Sequence, residues 1–441
     1  MDACLRPQFL SKIQLDRMKK CSLIFLLFVF SLCLNAQTDI LHQLNSNFET
    51  GNLASWRFVE VSSNNPAKSA ALISTNAHSG QYAAKVSWAT NPVYPEIIGS
   101  SHVIPRYYFG TNDCLNEGAD RLLAMGLKVI KIWYYNGAET PNIMYPWNST
   151  WPTNIYSLVQ GLSVPHFSTL FNKPFKTFVL NVASMVNPTN PYYWKDNITP
   201  AQLAQEEQEF YLFAKALLTN FQGTGKTFVL QHHEGDWHLR GHTDATLDPD
   251  PAAISRMIQW LNARQRGVTK ARNELQAQNV QVYHAAEINL VVKSMQDGKP
   301  NMVNKVLPFT NLDLVSYSCY DACLSAAVGD NQLLFDALKF IKLNMPDNSF
   351  FGNNNVYIGE YGAPENQYSA TQISAIMSNT VNAGVAEGCP FIIYWQLYDN
   401  ELVNPSTTLP VTNNSDVRGF WLIRPDGSQS AHYNYLYSLC N

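Results

Sequence analysis

From Pro105 to the C-terminus the chain repeats one unit, a short apolar strand followed by helical sequence, eight times. The strands are expected at 107–111, 128–134, 175–182, 227–233, 280–285, 312–318, 356–360 and 391–396. Thr199-Pro200 opens the helix after the third strand, with an N-cap residue followed by proline at the first helical position. The last helix spans about 432–439. Eight such units in roughly 335 residues predict an α/β fold, a (β/α)8 TIM barrel over 105–441. An open doubly wound sheet would more often carry a glycine-rich phosphate turn after its first strand, and Phe109-Gly110-Thr111-Asn112 is not one.

In such a barrel, chemistry gathers at the C-terminal strand ends. The polar residues expected there are Asn112, Glu234, Glu287, Tyr320, Asp321, Glu360, Asp399 and Glu401. Glu234 lies in KTFVLQHHEGDWHLRG at the end of strand four. Glu360 lies in VYIGEYGAPE at the end of strand seven. Two carboxyl groups converging across a barrel mouth can carry acid/base and nucleophilic chemistry on a glycosidic bond. The bland alternative for each is a strand-end acid in a salt bridge. Period-two alternation puts Glu360 on the face of Val356 and Ile358, the barrel-axis face if those two are core. His232, His233, Asp236 and Trp237 are expected to surround Glu234. Candidate substrate-binding residues are Asn112, Trp133, His233, Trp237, His284, Glu287, Tyr317 and Trp395. Glu287 reads as a ligand or loop anchor, and Tyr317 as a donor to Glu360 or a core tyrosine.

These positions resemble the retaining glycoside hydrolases of clan A, whose barrels carry an acid/base glutamate on strand four and a nucleophilic glutamate on strand seven. The motifs that carry the resemblance are IGEYG and YWQLYDNE, where Trp395 matches the strand-eight tryptophan that stacks on the sugar in many members. The resemblance implies Glu234 as acid/base, Glu360 as nucleophile and a β-linked poly- or oligosaccharide as substrate. It implies no cofactor and no metal. The chain departs from the pattern at His233, where those enzymes usually have asparagine.

The bulk properties fit a neutral ligand. The net charge is −4 and the pI near 6.2, which gives no electrostatic case for nucleic acid. Only 15 % of residues are charged, while 12 % are aromatic, a balance suited to the flat apolar faces of sugars. Lys19 and Lys20, the apolar run 23–34 and Asn35-Ala36-Gln37 follow the order of a secretory signal starting at Met18. The expectation is cleavage after Ala36 and a secreted or periplasmic monomer without a membrane partner. Leu32 before Cys33 argues against a lipoprotein.

Residues 37–104 read as a β-rich segment. NSNFETGNLASW and HSGQYAAKVSWA resemble the opening of β-sandwich carbohydrate-binding modules, about half of one, with a small β-appendage as the alternative. Five cysteines follow the leader, and Cys319 and Cys323 are near enough in sequence to bridge across a loop. Two other function classes remain open. A glycan-binding protein without turnover would keep the aromatic platforms. A metal-dependent hydrolase would use HHEGDWHLRGH, although His233 and His238 are five apart instead of four.

Overall fold

A computed structural model of the chain describes residues 70–74, 83–87, 93–135, 141–147, 150–152 and 154–441. The chain divides into two compact units, Met1–Pro92 and Val93–Asn441. In the first, Ala70–Ser74 pairs antiparallel with Ala83–Ser87. The leader and most of the β-rich segment lie outside the described residues.

The second unit is a closed barrel of eight parallel strands. In chain order they are β1 (Ile98–His102), β2 (Val129–Tyr135), β3 (Thr177–Val182), β4 (Lys226–His232), β5 (Val280–Ile288), β6 (Leu314–Ser318), β7 (Val356–Tyr361) and β8 (Ile392–Tyr394). Each pairs with its neighbour in sequence, and β8 closes onto β1. Seven strands stand where the sequence reading expects them. The first does not. Residues 107–111 form a loop, and β1 is the IGSSH segment, so the barrel starts before residue 105. Gly99 explains the choice, because a Cβ there would come 2.7 Å from Val129 Cβ on β2. A small residue is needed where the two strands approach closely.

Helices cover the outside. Helix Pro200–Asn220 starts with a capping box between Thr199 and Gln202, and helix Ala370–Ala386 with one between Ser369 and Gln372. Helix Pro251–Leu275 runs unbroken between β4 and β5.

Period two sorts each strand into an outer and an inner row. Ile130, Ile132, Phe178, Leu180, Phe228, Leu230, Val315, Val356 and Ile358 belong to the layer between strands and helices. Inside the barrel a separate apolar plug holds Val129, Val179, Val229, Ala285, Leu314, Tyr357, Phe391 and Ile393. Fully burying a side chain such as valine or leucine contributes about 1.5–3 kcal/mol. Two residues further along five of these strands, toward their C-terminal ends, the inner row turns polar: Lys131, Asn181, Gln231, Glu287 and Ser316. The site is built on that polar layer.

Candidate active site

Glu360 reaches the inner face by a route that simple alternation does not give. Val356 and Ile358 face the helices, and Tyr357 faces the axis. The pairing with β6 shifts between Tyr317↔Ile358 and Ser318↔Glu360, so Gly359 and Glu360 oppose one residue of the partner strand. This bulge turns Glu360 inward. Gly359 is required there, because a Cβ would meet Ser316 Oγ at 1.7 Å.

Glu360 is buried and tightly held. Its Oε1 accepts from Lys131 Nζ at 2.7 Å, and its Oε2 accepts from Ser318 Oγ at 3.2 Å. Lys131 donates equally closely to Glu287 Oε2, at 2.7 Å. Gln231 Nε2 at 2.8 Å and Ser316 Oγ at 3.1 Å donate to that same Glu287 oxygen. Gln231 is fixed in turn by Asn181 and by the Tyr357 hydroxyl. The polar layer is thus one connected network with Lys131 at its centre.

Glu234 follows β4 and caps the short helix Gly235–Arg240. Its backbone is left-handed, with φ 45°. A non-glycine residue there carries strain on the order of 1 kcal/mol or more. Its N–H donates to Glu287 Oε1 at 3.0 Å, and its side chain is 41 % exposed, open to the mouth. Between the three acids stands His233. Its Nδ1 lies 3.1 Å from Glu287 Oε1 and 3.9 Å from Glu360 Oε1, and its Nε2 lies 3.8 Å from Glu234 Oε2. Trp133 of β2 packs edge-on against the imidazole, with centroids 4.8 Å apart.

The electrostatics follow from this crowding. Burial and then the charge of Glu287 push Glu360 up to about 7; Lys131 and His233 pull the other way, and Glu234 adds to the rise. Burial opposes ionisation of Glu287 too, but Lys131 and His233 outweigh it and hold that carboxyl well below its usual range. Burial also opposes charging His233, and Glu287, Glu234 and Glu360 together lift it to about 9. At neutral pH the cluster is therefore Lys131⁺, His233⁺ and Glu287⁻, with Glu360 near the midpoint of its titration.

Donor atoms of His233, Glu287 and Glu360 lie within 4.8 Å of one another, close enough to be tested as a metal site. The residues fit one poorly. Lys131 Nζ already bonds both carboxyl groups, so a divalent ion on this trio would sit against an ammonium. Among the described residues, HHEGDWHLRGH contributes only His233 to a group of three candidate ligands. His232 Nε2 pairs with His238 Nδ1 at 3.3 Å, and the His232 ring packs edge-on against Trp260 of an outer helix.

The other expected residues divide. Trp395 follows β8 and is nearly buried, its N–H bonded to Tyr361 O at 2.9 Å. Trp237 is half-buried on the turn beside Glu234. Glu287 is not at the mouth: it lies within β5, has no solvent exposure and acts as an anchor. His284 stands on the outer row of β5, edge-on to Phe210 of helix Pro200–Asn220. Tyr317 is likewise outward, and its hydroxyl donates to Asp321 instead of Glu360. One-residue parity separates both from the inner row of Glu287, Ser316 and Ser318. Asn112 is exposed in a loop, because the strand expected before it is absent. Asp236 is taken up by the N–H groups of Asn289, Leu290 and Met302, and Asp399 by those of Glu401, Gly419 and Phe420. Glu401 pairs with Arg418. Cys319 and Cys323 are free thiols on one helical turn, not a bridge.

Sequence reading missed Lys131, Gln231, Ser316 and Ser318. One signal was available: Lys131 interrupts VIKIWYY two residues after Val129, an inner-row position in a strand otherwise free of charge. No family model matches the chain, and no curated protein matches it. Among solved structures, a broad-specificity endoglucanase from Bacteroides salanitronis is similar at 13 % identity and TM-score 0.45, covering 88 % of this chain and 97 % of that one. An endo-β-1,4-mannanase from Thermotoga petrophila is similar at 14 % identity and TM-score 0.45, covering 78 % and 76 %. A family 1 β-glucosidase from Thermotoga maritima is similar at 12 % identity and TM-score 0.44, covering 78 % and 97 %. Likenesses this distant decide nothing about activity, and the functional reading rests on the residues of the site.

Proposed function

We propose that this protein is an exported glycoside hydrolase that cleaves β-glycosidic bonds of a poly- or oligosaccharide with retention of configuration. The observation that carries the reading is the meeting of Glu234 and Glu360 at one barrel mouth, on either side of the His233 ring. Glu360 attacks the anomeric carbon while Glu234 protonates the leaving oxygen. Water then displaces the glycosyl group from Glu360 as Glu234 takes its proton.

The division of labour needs two different environments, and the two acids have them. Glu234 is open to solvent, as a group that must exchange protons with water needs to be. Glu360 is dry, hydrogen-bonded and crowded by the Glu287 charge. Bond formation to a sugar removes the negative charge of Glu360 and relieves that crowding, so the field favours the covalent step. Trp395 is the sugar platform of this reading, Trp133 and Trp237 line the cleft, and His233 stands where an asparagine would contact the 2-hydroxyl. The leader at 18–36 directs export, and the substrate is the partner. Among the described residues no helix is long and apolar enough to cross a membrane.

The test is purified protein on a panel of β-linked polysaccharides, with the product anomer read by proton NMR in the first minutes. Retained configuration is expected. An inverted product would make Glu360 a base and overturn the mechanism. Glycan binding without turnover, unchanged in Glu360→Gln, would return the protein to the binding class.

A further inference from the structure

Glu287 is the acid that joins the two halves of the proposed pair. Its Oε1 accepts the N–H of Glu234, and its Oε2 accepts Lys131, which bridges to Glu360. It has no solvent exposure, so no substrate atom reaches it. A carboxylate with this many donors is ionised and fixed in place.

We propose that Glu287 is a positioning residue that holds the Glu234 backbone in its left-handed turn and, through the shared Lys131, sets the orientation and proton affinity of Glu360. The inference rests on the assignment of Glu234 and Glu360 as the working pair. The first half follows from strain: Glu234 keeps φ 45° while its N–H is bonded to Glu287 Oε1. The position is also closed from behind. Gly235 has no space for a side chain, since a Cβ would lie 2.5 Å from the Glu287 carbonyl oxygen and 2.0 Å from Met302 Sδ. The turn that presents Glu234 is therefore seated directly on β5.

The second half follows from charge. The titratable groups whose charge acts on Glu360 are Lys131 from β2, His233 and Glu234 around the end of β4, and Glu287 from β5. The Tyr320 hydroxyl after β6 senses the Glu360 charge in turn, and Ser318 of β6 donates to it. Of the two acids among these neighbours, Glu234 is open to water and Glu287 is not, so the field of Glu287 is the one solvent does not weaken. One ammonium is shared between two buried carboxyl groups. Removing the Glu287 charge leaves Lys131 to Glu360 alone.

The test is Glu287→Gln in the full-length protein, which deletes the charge and keeps the shape. The acid limb of kcat/KM is expected to move down by at least one pH unit, raising the rate at pH 5.5 relative to pH 8 about tenfold. An unmoved limb with a uniformly lower rate would leave Glu287 only the seating of the Glu234 turn and overturn its role on Glu360. A second measurement needs no substrate. The stability gap between the melting curves of Glu360 and Glu360→Gln proteins opens near the unfolded carboxyl's pKa of about 4.5 and levels off at the folded pKa of Glu360, and the pH at which it levels off is expected to fall in the Glu287→Gln background. An unchanged levelling point overturns the inference. If no glycoside is turned over, the glycosidase reading fails while these curves still decide the role of Glu287. Should Glu287→Gln not fold, carboxyl carbon-13 NMR of the wild type decides. Glu287 is expected to stay ionised from pH 5 to 9 while Glu360 titrates, and titration of both in one window would overturn the proposal.

Discussion

Lys131 Nζ lies 2.7 Å from Glu360 Oε1, and neither side chain has more than 5 % of its surface in solvent. The contact places a positive charge from the second strand beneath an acid at the end of the seventh. A buried ammonium is tolerated only when paired, and Lys131 is paired twice. The barrel interior is therefore held at this level by ions where the layer below is held by valine and leucine.

Lys131→Met fills the same volume and removes the charge. Glu287 and Glu360 then have only the His233 imidazolium between them, 3.1 Å and 3.9 Å away. Urea unfolding at pH 7 should show a loss of roughly 3–5 kcal/mol, as for a buried pair broken from one side. In whatever fraction folds, Glu360 should ionise at higher pH and the acid limb of activity should rise. Unaltered stability would mean that Lys131 is solvated and the network is not as tight as drawn.

Glu360→Gln should abolish turnover and stabilise the fold, with a pH dependence whose sign is fixed. The carboxyl is raised in the folded state from 4.5 to about 7, so its charged form is disfavoured by folding. The wild type therefore loses stability as pH rises from about 4.5 to about 7. The amide does not titrate. The variant should match the wild type near pH 4 and exceed it at pH 8 by up to about 3 kcal/mol. Parallel melting temperatures across that range would show that Glu360 ionises freely.

Much of the architecture is legible in the residues because parallel strands buried on both faces read as apolar runs. FVLNV, TFVLQH and VYIGEY each announce a strand in this way. β1 does not, because IGSSH is a buried strand made of small and polar residues, while the aromatic run at 107–109 resembles a strand and forms a loop. The carboxyl positions were legible from rank along the chain. Their facing was not. The inward turn of Glu360 depends on a bulge at Gly359, which no periodicity announces, and His284 and Tyr317 fall one residue out of phase with the inner row. The role of Lys131 depends on partners distant in the chain, Glu287 of β5 and Glu360 of β7, which spacing along the sequence does not pair with it.

Trp395→Ala should lose most activity while the protein stays folded. Trp395 is 9 % exposed, and its backbone N–H is bonded to the Tyr361 carbonyl independently of the side chain. Removing a sugar platform costs binding in the transition state, so kcat/KM should fall by at least about a hundredfold, near 3 kcal/mol. The circular dichroism spectrum should not change. Near-normal turnover would remove Trp395 from the site.

The two glutamates can be told apart by what rescues them. Glu234→Ala keeps the nucleophile, so aryl glycosides whose leaving group needs no proton should still form the covalent intermediate. Its breakdown then lacks a base, and azide, which attacks without one, should speed turnover and yield a glycosyl azide of retained configuration. Glu360→Ala has no group to form the intermediate and should be inactive on every substrate. His233→Ala should fall between the two. It removes a cation 3.9 Å from Glu360 and the ring beside Glu234, so turnover should drop without vanishing and the acid limb should shift to higher pH. A glycosyl azide of retained configuration from Glu360→Ala, with none from Glu234→Ala, would exchange the roles of the two acids.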